Sequence, residues 1–171
     1  VFPSWGRGIQ QGIITTKTPG GIVYSYQSTQ WPADGVVGLQ ISLNNTLQTT
    51  GANAGSFTHV AIKAGAWRNE PLHCKLIMIT KDAIAFSAPV VLNNEHIEII
   101  LSLSTFQQDR YLLLPRPYPG FHPLWYGAAE TNTTLALSEI DVVQFVIEKE
   151  ENTAFKDAGP AFEIEWISLR K

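Results

Sequence analysis

The residues with the most chemistry to offer are rings placed among turn formers. Trp31 sits in "WPADG", Trp67 precedes Arg68 in "AWRNEP", and "LLLPRPYPGFHPLWYG" (112–127) gathers Tyr118, Phe121, His122, Trp125 and Tyr126 around Arg116. A sugar ring presents apolar C–H faces and a rim of hydroxyls, so a protein holds it by stacking an aromatic ring on the face and hydrogen-bonding the edge. Trp125, Tyr126, Trp67 and Trp31 are the candidate stacking surfaces, and Arg116, His122, Arg68 and Tyr118 the candidate edge partners. The same rings would equally serve to plug the ends of a sandwich where no strand covers the core. Proline cannot donate a ladder hydrogen bond, so 112–127 is expected to be a long connection and not a central strand.

Other groups offer less. His96-x-Glu98 puts two metal-ligand types on one strand face without an evident third. The acidic run "EKEENTAFKD" (148–157), with Asn152 and Asp157, carries oxygens of the kind calcium takes but lacks the spacing of an EF-hand, and reads otherwise as a solvated loop. Cys74, the single cysteine, lies inside an apolar run and is expected to be a buried, inert thiol. The G-x-S-x-G elbow, the H-E-x-x-H pair and the phosphate loop are missing, and one cysteine excludes a zinc ribbon. A glycosidase would need two carboxylates about 5–10 Å apart, and no strand shows an E-x-D-x-x-E-like grouping, so no catalytic residue is assigned.

These side chains must be held by a β framework. In "VVGLQISL" (36–43) Val37, Leu39, Ile41 and Leu43 share one face, with Gln40 and Ser42 on the other. "FTHVAIKA" (57–64) sets Val60, Ile62 and Ala64 against His59 and Lys63, and "LHCKLIMIT" (72–80) sets Leu72, Cys74, Leu76 and Met78 against His73 and Lys75. "HIEIILSL" (96–103) and "VVQFVIE" (142–148) alternate likewise, the first with Ile97, Ile99, Leu101 and Leu103 inward, the second with Val143, Phe145 and Ile147 opposite Gln144. Further strands are expected at 9–16, 21–26, 83–86, 133–137 and 161–169, about nine or ten in all, with helical turns confined to "STFQQD" and "LSEID". Half-buried strands separated by Gly/Pro turns pack as an antiparallel β-sandwich. The polar face of Gln40, Ser42, His59, Lys63, His73, Lys75, His96 and Glu98 would line a glycan groove on a concave sheet, or be plainly solvated on a convex one.

Composition narrows the classes. Of 171 residues 44% are apolar and 16% charged, with net charge -3, which disfavours disorder and provides no basic field for nucleic acid. No apolar run approaches the roughly 20 residues of a membrane helix. One domain covering 1–171 is expected, and a chain opening on Val1 reads as a processed or excised domain.

The order of strands from residue 55 to 171 resembles the jelly-roll carbohydrate-binding modules of galactose-binding-like fold that are attached to secreted polysaccharide-degrading enzymes. The resemblance is carried by "IILSLSTF", "LSEIDVVQFVI" and "FEIEWISL", which match the family's "iPLsdF", "l.dI..i.f.i" and "f.l.iDdI.l" patterns. It implies an all-β jelly roll, secreted or on a cell surface, that binds a polysaccharide or oligosaccharide and is tethered to the catalytic domain of a parent enzyme. No cofactor is required; a structural calcium would take Glu165 and Asp157 as its candidates, although the family's acidic pair is here Glu165-Trp166. Two alternatives stand beside it: a structural sandwich packed on a catalytic domain, and a jelly-roll glycosidase or lyase.

Overall fold

A computed structural model describes residues 11–18, 21–43, 56–114, 124–128, 133–155 and 158–171. Twelve strands are found among them: β1 (Gln11–Thr18), β2 (Gly21–Ser28), β3 (Val36–Ser42), β4 (His59–Ala66), β5 (Leu72–Thr80) and β6 (Ala85–Leu92), followed by β7 (Glu98–Ser102), β8 (Gln107–Asp109), β9 (Tyr111–Leu112), β10 (Trp125–Tyr126), β11 (Ile140–Glu148) and β12 (Ala161–Arg170). One five-stranded sheet has the order β1-β2-β12-β4-β7, the other β3-β11-β5-β6-β8, and β9 and β10 form a separate two-stranded ribbon. Every pairing is antiparallel. Helical structure among the described residues is limited to 3-10 turns, two of them at Leu103–Thr105 and Leu137–Glu139, where helical turns were expected.

The core forms as the alternation dictates. Val37 and Leu39 from β3, Val60, Ile62 and Ala64 from β4, and Leu72, Cys74, Leu76 and Met78 from β5 are buried between the sheets with Phe145, Ile147, Phe162 and Ile164. Each such aliphatic or aromatic side chain contributes about 1.5–3 kcal/mol when removed from water. Burial raises the Cys74 thiol well above the usual range, with the charge of Glu151 adding to it, so the thiol is inert.

Three expectations are corrected. Residues 133–136 are not a strand and lead into a 3-10 turn. Ile97 lies in the connection before β7 and is exposed, so only Ile99, Leu101 and Leu103 of that set pack on the core. The eight polar strand residues do not share one face: Gln40, Ser42, His73 and Lys75 belong to the β3-β11-β5 side, while His59, Lys63, Glu98 and His96 belong to the β12-β4-β7 side.

The two sheets differ on their outer faces. On the β3-β11-β5-β6-β8 sheet a second apolar layer of Val36, Ile77, Ile79, Ala85 and Val146 packs against Leu112 of the ribbon. "KLIMIT" and "VVQFVIE" are therefore near-continuous apolar runs because both of their faces are covered. Gly38 makes the approach feasible, since a Cβ there would lie 2.9 Å from Leu112 Cδ2 and 3.2 Å from Leu114 Cδ1.

Candidate functional site

The ribbon is fastened by one side chain. Gln144, fully buried at the centre of β11, accepts from the Leu112 N–H at 3.1 Å and donates through Nε2 to the Leu112 carbonyl and to Gln40 Oε1, each at 2.7 Å. An amide can satisfy a backbone donor and acceptor at once, so this residue places β9 over the sheet without leaving buried polar groups unpaired. β10 follows by pairing Trp125 with Leu112, and the Leu113 N–H donates to the Leu124 carbonyl at 2.8 Å.

Trp125 thereby reaches the wall of an open groove of ≈ 1040 Å³, bounded by residues 30–36, by Arg110 and Trp125, and by the turn from Glu148 to Thr153. The Arg110 guanidinium lies 4.5 Å over the Trp125 ring, which pins the indole by a cation–π contact. Asp34, Glu148 and Glu150 supply acceptors, and Lys149 and Arg110 donors, around this rim. The floor is set from below by Asn152, buried, which accepts from the His73 N–H at 2.8 Å and donates to the carbonyls of His73 at 2.8 Å and Glu148 at 2.9 Å. The Lys149 N–H donates to the Gly35 carbonyl at 2.7 Å, joining the two polar walls. Gly35 has φ +68, a left-handed turn position that glycine takes without strain.

Lys75 stands at 3.5 Å from both Glu148 and Glu151. Burial alone would lower its pKa, but the charges of Glu151, Glu148 and Asp109 outweigh that and hold the ammonium above the usual lysine value.

The expected ring residues separate. Trp125 lines the groove. Trp31 also borders it but is only 6% exposed, with its indole N–H unpartnered among the described residues, so it is core beneath the groove and offers no face for stacking. Tyr126 is 49% exposed but packs on Tyr111 at 5.4 Å and does not line the groove. Trp67, 43% exposed, and Arg68, half-buried, lie at the same end of the sandwich as the groove, the Trp67 N–H bonded to the Ala161 carbonyl at 2.9 Å, yet neither lines it. Arg116, Tyr118, Phe121, His122 and Asp157 fall outside the described residues. The acidic run did not announce its role: Glu148 and Glu150 form a wall, and Asn152 clamps the backbone of His73 and Glu148. Gln144 did leave a signal, as the one polar residue in the apolar run "VVQFVI".

Glu165 lies on the other sheet's outer face. Its Oε2 is 2.8 Å from Lys63 Nζ, and its cluster partners are His96 and Glu163. Calcium takes six to eight oxygens, and one imidazole, two carboxylates and an adjacent ammonium are not that donor set.

The two-sheet antiparallel sandwich is a jelly-roll fold that solved carbohydrate-binding modules share. The family 11 carbohydrate-binding module of the Clostridium thermocellum cellulosomal cellulase Lic26A-Cel5E superposes with TM-score 0.56 at 14% identity, over 96% of this chain and 84% of that one. The Clostridium thermocellum family 11 module in complex with a beta-1,3-1,4-mixed-linked tetrasaccharide gives 0.57 at 12% identity, over 96% and 85%. An agarase, AgWH50C, gives 0.57 at 8% identity over 98% of this chain and 23% of the agarase. No protein-family model matches the chain, and no curated protein matches it in sequence. The shared property is the fold.

Proposed function

We propose that the chain is a noncatalytic carbohydrate-binding module whose ligand surface is the groove beside Trp125. What carries this is one arrangement: an indole fixed by Arg110 at the wall of an open groove whose rim offers both acceptors and donors. The ring takes the C–H face of a sugar, and Asp34, Glu148, Glu150 and Lys149 bond the hydroxyl edge. Three carboxylates against two cations around the rim favour a neutral glycan over a sulfated or uronate polymer. The likeness to modules of a cellulase, and to part of an agarase, supports a place beside a catalytic domain, secreted or at a cell surface. There, weak binding raises the local concentration of the tethered enzyme at its polymer.

One observation favours a second role. The ribbon exposes Leu113, Leu124 and Tyr126, an apolar strip suited to packing on a neighbouring domain. Affinity electrophoresis of the isolated chain against mixed-linked beta-glucan, agarose, pectin and alginate separates the two. Retardation by a neutral polymer, without release of reducing ends, is the expected result. No retardation by any polymer favours the structural role, and reducing-end release would assign the groove carboxylates to hydrolysis.

A further inference from the structure

The outer face of the β2-β12-β4 region assembles three metal-ligating side chains from two elements far apart in sequence. Glu163 and Glu165 lie on β12, where Glu163 pairs with Ser25 of β2 and Gly65 of β4. A bulge between Ile164 and Trp166 inserts Glu165 opposite β4 as the unpaired residue. His96 arrives from the connection between β6 and β7, and one ligand atom from each of His96, Glu163 and Glu165 lies within 4.8 Å of the others.

The arrangement is built. His96 has φ 50, a left-handed position that histidine adopts more readily than most side chains, in the connection that brings its ring over β4. Its ring lies directly on Gly65, where a Cβ would come within 2.5 Å of His96 Cδ2 and 2.9 Å of its Cα. Backbone bonds from the Ala66 N–H to the Asn93 carbonyl at 2.8 Å, and from the Ala64 N–H to the Ile97 carbonyl at 3.4 Å, tie the connection to β4 on both sides of the histidine. Glu163 has one oxygen, Oε2, oriented by the Ser25 hydroxyl at 2.8 Å, while Oε1 faces His96 Nδ1 at 3.8 Å. That is the outer-shell support that ligating carboxylates characteristically have.

We infer that His96, Glu163 and Glu165 form a site for a divalent transition metal of borderline softness, with zinc as the model ion. Ligand atoms about 2.0–2.2 Å from a tetrahedral zinc stand roughly 3.4 Å apart, and half-buried side chains reach that from the observed spacing by small rotations. One imidazole and two carboxylates leave a fourth position for water. Lys63, now paired with Glu165, competes with the cation and sets the affinity below that of a closed structural site.

The test uses the intact chain and a zinc titration by calorimetry, with cobalt(II) absorbance as a report of coordination number. One zinc per chain with a micromolar constant, and the intense visible bands of four-coordinate cobalt, are expected. His96→Asn, which keeps a residue tolerant of left-handed backbone, and Glu163→Gln should each weaken zinc at least tenfold while the far-ultraviolet circular dichroism stays unchanged. Lys63→Met should tighten it several-fold, a direction that mere loss of a surface ion pair would not produce. The inference is overturned if zinc fails to saturate below millimolar, if His96→Asn binds it unchanged, or if excess calcium displaces it. Glycan affinity is read separately, so neither outcome stands in for the other.

Discussion

The outer faces of the two sheets are built on opposite plans. The β3-β11-β5-β6-β8 face carries an apolar layer capped by a ribbon, and Trp125 of that ribbon meets the groove at the edge. The β1-β2-β12-β4-β7 face carries the Lys63–Glu165 ion pair and, beside it, His96 facing Glu163, all partly exposed. A covered face holds a recognition surface rigidly because its polar contacts are desolvated and few. An open one supports charge chemistry whose contributions to stability are small.

The contrast breaks most visibly at Gln144. Gln144→Ala removes the partner of a buried N–H and carbonyl, and should cost about 2–4 kcal/mol in urea unfolding. Glycan affinity should fall with it, because the ribbon that positions Trp125 is released. A smaller effect is expected in alkali. Burial pushes the Tyr26 phenol up to about 12, with the nearby Ser28 hydroxyl opposing and the charge of Asp34 reinforcing it, and Lys75 is also raised. Groups whose folded pKa exceeds the unfolded value stabilise fully below the unfolded value and lose that contribution as pH rises. Stability should therefore fall between about pH 10 and 12, by on the order of 2 kcal/mol, and Tyr26→Phe should flatten the decline. Absorbance of tyrosinate should show a late-titrating phenol that this variant lacks, beside that of Tyr111, which burial and the neighbouring Tyr126 also raise. The smallest effect belongs to the open face: Lys63→Met, its side chain 39% exposed, should change stability by less than about 1 kcal/mol. A larger loss there would erase the distinction between the faces.

Much of this was legible in the sequence. Period-two alternation identified β3, β4, β5, β7 and β11 and their inward residues, Ile97 excepted, and turn residues separated many of the strands. The resemblance to carbohydrate-binding modules agreed with the fold that the structure and its neighbours display. What the alternation could not convey was register between distant strands. His96-x-Glu98 looked like a pair on one strand, whereas His96 turns back toward Glu163 and Glu165, and Glu98 pairs with Arg170 at 3.1 Å. Trp31 resembled a loop ring because its neighbours are turn formers, yet the loop folds its indole inward over the core. Trp125 and the groove acids come together only through β9–β10 pairing and the Glu148–Thr153 turn, contacts that no local pattern encodes.

The central claim is that glycan binds in the groove beside Trp125 and not at Tyr126 or Trp67. Calorimetry with the neutral polymer that retards the chain most, on Trp125→Ala, Tyr126→Ala and Trp67→Ala, tests it directly. Loss of a stacked ring should weaken binding at least tenfold in Trp125→Ala, about 1.4 kcal/mol, and leave the other two within twofold of the parent. Full affinity in Trp125→Ala, or an equal loss in Tyr126→Ala or Trp67→Ala, would contradict it.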